Sequence, residues 1–160
     1  MFRYFLISLI LLSSAATFAQ STAGLKSIAP FSMKLTNGQQ YTSAQLAKGP
    51  VVLIYFSPDC EHCQDFTQDL VKNYNVVANK QVVMVTFQNM DMLRPFVSKY
   101  KLATFPNFKV GTEGSSMLVQ RYYQIRYFPY IVIYDKNGKM VKTFEGEQPH
   151  EEIFRTLKAI

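Results

Sequence analysis

The sequence predicts an α/β domain: a central mixed β-sheet with helices on both faces and an N-terminal β-hairpin. Three observations predict it. Residues 51–56 (VVLIYF), 81–87 (QVVMVTF) and 130–135 (YIVIYD) are short apolar runs rich in β-branched and aromatic side chains, the pattern of strands covered on both faces. Between the first two runs, Phe66, Leu70, Tyr74 and Val77 recur at spacings of four, four and three, which marks one face of an amphipathic helix. Asn-Gly pairs stand at 37–38 and 137–138, and both residue types tolerate the positive φ of tight hairpin turns. Strands joined through helices imply parallel neighbours, and a closing hairpin adds an antiparallel pair.

The elements follow in chain order. Residues 1–19 read as a cleaved secretory signal peptide. Arg3 and the amine give a positive start, residues 5–12 are apolar apart from Ser8, and Thr17-Phe18-Ala19 approximates a small-x-small cleavage site. The apolar run falls well short of the about 20 residues that span a bilayer. No cysteine near the cleavage point offers itself for lipid attachment, so no stable membrane anchor is expected after cleavage. Residues 20–28 are expected to form a flexible leader, and 29–160 the folded domain. Residues 31–42 form the first hairpin, and SAQLA (43–47) a short helical piece. Gly49-Pro50 punctuates the chain before the first buried strand.

Past the second buried strand, a helix is expected within residues 90–100, with Leu93, Phe96, Val97 and Tyr100 on one side and a late start imposed by Pro95. Residues 105–116 (FPNFKVGTEGSS) read as a loop and 117–125 as a short helix. Phe128-Pro129 breaks the chain before the third buried strand. Residues 136–139 then turn into a partner strand at 140–146. The last segment places Ile153, Leu157 and Ile160 on one stripe, with acids early and bases late, as the helix dipole favours.

Composition narrows the function. A chain of 160 residues, 48% apolar and 18% charged, suits one folded domain that can bury a core without crosslinks. Its two cysteines are therefore not needed as a scaffold. The formal net charge of +6 is scattered, and the densest basic stretch, residues 136–142, falls on a turn and the strand after it. Nucleic-acid binding, which needs a concentrated patch, is not expected.

Both cysteines lie in SPDCEHCQ, where a buried strand ends and a helix begins. Residues i and i+3 of a helix share a face, so Cys60 and Cys63 can close a small disulfide with little backbone movement. So short a loop adds less stability than a long-range bond would, which suits a bond that opens and closes. Unpaired N–H groups at the helix start favour a thiolate there. Cys60, nearest that end, is the expected nucleophile, and Cys63, one turn in, the resolving thiol. Three neighbours would tune the pair. His62 could donate to the Cys60 sulfur or add positive charge, whereas Glu61 and Asp59 act in the opposite sense. Which of these prevails is left open. A zinc site would need three or four ligands, and His150 is the one further histidine, so no metal is expected. Covalent haem would need a histidine at position 64, where Gln64 stands.

With its cysteines at a strand–helix junction, and with FPYIVIYDKNGKMVKTFEG and a closing helix downstream, the chain resembles the thioredoxin-like superfamily. Within it, the likeness is greatest to the exported bacterial thiol-disulfide oxidoreductases of the TlpA/ResA type, over about residues 29–160. The resemblance implies a thioredoxin-like fold in the periplasm and a redox-active Cys60–Cys63 disulfide in place of any dissociable cofactor. It implies protein thiols and disulfides as substrates, and a membrane-bound electron donor. It also implies that Pro129 is cis and faces the cysteines, and that Phe128 and Pro129 contact substrate. The sequence departs from the family pattern in several places. Asp59 stands where tryptophan is common, Glu61-His62 replaces Gly-Pro, Ile54 occupies the place of a buried acid, and Phe128 is bulky. Glu61 is similar to the Glu-Pro of reductases and His62 to the Pro-His of a strong oxidase, which point in opposite redox directions. The resemblance as a whole favours a reductant.

Two alternatives remain at this level. A peroxiredoxin-like thiol peroxidase would carry Pro-x-x-x-Thr/Ser-x-x-Cys; Ser57 satisfies the Ser position, but Leu53 stands in place of proline. A non-catalytic thioredoxin-fold binding module would leave both thiols unreactive. In residues 122–130, most aromatics are expected to pack the core, with Tyr127 and Phe128 the exceptions.

Overall fold

The computed structural model describes residues 27–160. The predicted signal peptide and nearly all of the leader lie outside the described residues. Among those described, seven strands form one mixed sheet. The buried runs make its centre: β3 (Val51–Tyr55) lies between β4 (Gln81–Thr86), which is parallel to it, and β6 (Tyr130–Tyr134), which is antiparallel. β1 (Ser32–Leu35) and β2 (Gln40–Thr42) are the N-terminal hairpin, and β7 (Met140–Glu145) pairs antiparallel with β6. The sheet order is β2-β1-β5-β4-β3-β6-β7, with β5 (Phe108–Thr112) completing it.

Alternation along the central strands sends side chains to two cores. Val52, Ile54, Phe56, Val82 and Met84 face one core, together with Cys63, Phe66 and Leu70. Val51, Leu53, Tyr55, Val83 and Val85 face the other, with Phe31, Met33, Val119 and Tyr123. The first core is covered by α1 (Glu61–Lys72), α2 (Met90–Lys99) and α4 (His150–Lys158), and the second by α3 (Leu118–Tyr123) and the N-terminal segment. Helices on both faces of a mixed sheet are the predicted architecture. Phe128 packs against both cores. In α4, Ile153 and Leu157 are buried as the stripe predicts, and Ile160 packs at the margin.

Three expectations need correction. The stripe that runs to Val77 is not one helix: α1 ends at Lys72, and Tyr74–Val76 form a 3-10 turn. Asn73 ends the helix by donating its side-chain amide to the Asp69 carbonyl at 2.9 Å. Asn107 then anchors the turn, donating to the carbonyls of Val77 and Lys80, both at 2.8 Å, and accepting from the Tyr74 hydroxyl at 2.9 Å. The apolar residues stay buried by a change of backbone, which periodicity does not distinguish from a longer helix.

The second helix does not start late. α2 begins at Met90, with Pro95 inside it. Asn89 caps it, its side-chain oxygen accepting from the N–H groups of Asp91 and Met92 at 3.1 Å. Pro95 sits near enough to that start to forfeit just the bond to the Asp91 carbonyl.

The segment read as a loop contains strand β5. It runs parallel to β4 and antiparallel to β1, and so joins the hairpin to the sheet. Phe108 and Val110 alternate into the first core. Gly111, within the segment read as a loop, serves close approach. A Cβ there would stand 2.7 Å from the Lys34 carbonyl oxygen and 3.0 Å from the Met33 side chain. Because backbone blocks the space, Gly111→Ala is expected to cost about 1–3 kcal/mol and to loosen the β1–β5 pairing. Urea unfolding checks this, and an unchanged midpoint would refute it.

Candidate active site

The cysteines lie at the end of the central strand. The Phe56 N–H still bonds the Val85 carbonyl at 3.0 Å, after which Ser57 and Pro58 turn the chain. Cys60 is the N-cap of α1, in extended conformation, and its sulfur accepts the Cys63 N–H at 3.3 Å. The same sulfur donates its proton to the Phe128 carbonyl oxygen at 3.8 Å. Cys60 is thus partly exposed and tied at once to the helix start and to the loop before β6.

Cys63 faces inward, 1% exposed, and both cysteines are free thiols. Burial pushes the Cys63 thiol well up from its ordinary range; the hydrogen bond with Cys60, the charge that Cys60 would carry when ionised, and the Asp59 carboxylate act in the same sense, against a lowering backbone bond at Ser57. The nearer sulfur meets solvent, and burial favours the protonated form of the deeper one. Ile54 lies in the same core, so no carboxylate stands at that position to take the proton.

The backbone carbonyl before the proline faces the Cys60 sulfur. The Phe128–Pro129 peptide is cis. Pro129 is buried, and its carbonyl accepts the Gly146 N–H at 2.9 Å. The Phe128 ring packs against Tyr55 and Phe87, with centroids 5.8 and 5.7 Å away. Tyr123 and Tyr130 are buried, whereas Tyr127 is 68% exposed.

The three flanking residues take different places. Asp59 is exposed at the turn and accepts a hydrogen bond from the Ser57 hydroxyl, which in turn accepts from Gln88 Nε2 at 3.2 Å. Glu61 is exposed in the first turn of α1. His62 does not donate to the Cys60 sulfur, as the sequence suggested it could. It is half-exposed and turns to Glu147, with Nε2 3.8 Å from Oε2. As a helical residue two beyond the cap, it projects off the outer face toward the β7–α4 connection.

That connection supplies residues that sequence reasoning missed. A cleft of about 430 Å³ opens between α1 and the start of α4, lined by His62, Asp65, Pro129, Glu147, His150 and their neighbours. His150 Nδ1 lies 2.8 Å from Asp69 Oδ2, ties α4 to α1, and with Lys72 holds the Asp69 carboxyl below its usual range. Glu145 bonds the backbone of the loop that carries Phe128. The local sequence carries no signal for these contacts, because residues 145–150 are brought to α1 and to the Phe128 loop by the β6–β7 pairing and by the packing of α4. Among the described residues, no group of three or more His, Cys, Asp or Glu could hold a metal ion. No described helix is long and apolar enough to cross a membrane.

Against known families, the thioredoxin-like domain model matches residues 38–160. The chain belongs to the thioredoxin-like family. No curated protein matches this thioredoxin-like protein in sequence. Its fold is similar to that of a secreted Mycobacterium tuberculosis disulfide oxidoreductase homologous to E. coli DsbE, with 20% identity, a TM-score of 0.70, and coverage of 82% of this chain and 96% of that one. It is similar to the thioredoxin domain of a thiol-disulfide oxidoreductase from Bacteroides vulgatus, with 16% identity, a TM-score of 0.68, and coverage of 84% and 96%. Peroxidoxin BcpB from Mycobacterium tuberculosis is also similar, with 15% identity, a TM-score of 0.68, and coverage of 84% and 95%. At these identities the likeness is one of fold.

Proposed function

We propose that this thioredoxin-like protein is an exported thiol-disulfide oxidoreductase that acts in the periplasm and reduces disulfides of protein substrates through Cys60 and Cys63. The observation that carries this reading is the position of the Cys60 sulfur. It caps a helix, meets solvent, and faces the carbonyl before a cis proline, with Cys63 one turn behind it.

In the proposed cycle the Cys60 thiolate attacks one sulfur of a substrate disulfide. A mixed disulfide forms, and the other substrate sulfur leaves as a thiolate. Cys63 then loses its proton and attacks Cys60, so that the second substrate thiolate departs and the Cys60–Cys63 disulfide remains. Two electrons have passed to the substrate. A membrane-bound dithiol donor returns them. The reductant direction is supported by the turn of His62 toward Glu147, because a cationic donor at the Cys60 sulfur would favour the oxidising sense. Export is supported by the N-terminal segment and by the secreted relative of the same fold.

Equilibration with glutathione at varied redox ratio, read by thiol alkylation, tests the assignment. A potential near about −270 mV is expected for a reductant, whereas one near about −120 mV would mark an oxidant. A pair that never exchanges with glutathione would support the non-catalytic binding module instead. The peroxidase alternative gains the fold of BcpB, but here the Ser57 hydroxyl bonds Asp59 and Gln88, and Leu53 lies mid-strand opposite Val132. Thiol-dependent peroxide consumption, measured alongside, is expected to be negligible.

A further inference from the structure

The loop that carries Tyr127, Phe128 and Pro129 leaves α3 and must present one carbonyl to the Cys60 sulfur. Its own residues offer little to fix it. Arg126 and Tyr127 are exposed, so water could satisfy their N–H groups at little cost. Instead, one carboxylate oxygen of Glu145, at the end of β7, accepts both: Arg126 N–H at 2.7 Å and Tyr127 N–H at 3.0 Å. Glu145 is opposite Tyr130 in the β6–β7 register, and the next residue, Gly146, donates its N–H to the Pro129 carbonyl at 2.9 Å. Gly146 is also the residue whose Cβ would press on Tyr127 Cβ, at 3.2 Å. The two sides of the loop are thus held from the same strand end. The side-chain tether grips the part before Phe128, and the backbone tether the part after it.

We propose that Glu145 is a positioning residue for protein-substrate capture, holding the Arg126–Tyr127 backbone so that the Phe128 carbonyl and the exposed Tyr127 ring face an incoming chain beside Cys60. This rests on the exchange reading above. Glu145 touches neither sulfur and takes no part in electron transfer. Its carboxylate fixes the edge along which a polypeptide aligns before its disulfide meets Cys60. A small disulfide needs no such edge. The backbone pairing of β7 with β6 and the Gly146 bond survive loss of the side chain, so the fold does not depend on it.

The test compares wild type, E145A and E145Q on two substrates: insulin, whose disulfides lie in a polypeptide, and the small aromatic disulfide DTNB. E145A is expected to raise the KM for insulin about tenfold with kcat nearly unchanged, as loss of positioning away from the reacting atoms does. Its rate with DTNB is expected to stay within about twofold of wild type. E145Q keeps an acceptor oxygen and is expected to restore most of the insulin KM. An unchanged insulin KM in E145A, or equal losses on both substrates, would overturn the role. If E145A does not fold, E145D, whose shorter side chain cannot reach both N–H groups, is read against the same two outcomes. Wild-type protein inert toward both disulfides would overturn the exchange reading and this role with it, whereas an active wild type with an indifferent E145A removes the role of Glu145 alone.

Discussion

Cys60→Ser is expected to abolish disulfide exchange and to leave the fold intact. A serine hydroxyl fits the N-cap at least as well as a thiol and accepts the same helix N–H, so unfolding midpoints should be unchanged or slightly raised. What is lost is chemical: an alcohol is not ionised near neutral pH and does not attack a disulfide sulfur. Cys63→Ser makes the complementary case. It leaves the partly exposed thiol in place but removes the group that resolves the mixed disulfide, so a covalent adduct with the substrate should accumulate and be released by dithiothreitol. Non-reducing electrophoresis and DTNB kinetics check both variants. Full exchange activity in Cys60→Ser, or rapid turnover without adduct in Cys63→Ser, would contradict the assigned order of attack. The burial of Cys63, which keeps its thiol protonated, is the physical reason that the two variants should not behave alike.

Much of this arrangement was legible in the sequence, and the parts that were not share a cause. The central strands 51–55, 81–86 and 130–134 announced themselves because they are buried on both faces and need apolar residues without a break. The place of Cys60 at a helix start followed from that strand ending where the amphipathic period began. Strand β5 was missed because Lys109 and Gly111 interrupt its apolar run and Pro106 and Gly114 flank it, and its Gly111 serves the approach of β1, which is 76 residues distant at Leu35. The cis Phe128–Pro129 bond followed from resemblance, since residue type alone favours trans. Glu145 and Glu147 escaped notice, and His150 was weighed only as a metal ligand, because their partners, Tyr127, His62 and Asp69, are fixed by strand pairing and helix packing, not by any local pattern.

Phe66→Ala carries the largest expected cost to stability. Phe66 is buried one turn beyond Cys63 on the inner face of α1, with the His150 ring edge-on at 5.4 Å and the Phe154 ring stacked at 6.2 Å. Truncation removes the apolar surface that joins α1 to α4 and opens a void between two helices already fixed to the sheet. The expected loss is about 3–5 kcal/mol, a large part of the about 5–15 kcal/mol that holds a domain of this kind together. Guanidinium unfolding measures it, and a change below about 1 kcal/mol would show that α4 closes over the gap. Because α1 carries Cys63 and is capped by Cys60, the variant should also expose Cys63 to alkylation in the native state, at a rate that rises with mild denaturant.

Phe128 touches the packing on each side of the sheet. On the proposed function, a polypeptide arriving at that ring would press on side chains of both faces at once, and not on a single loop.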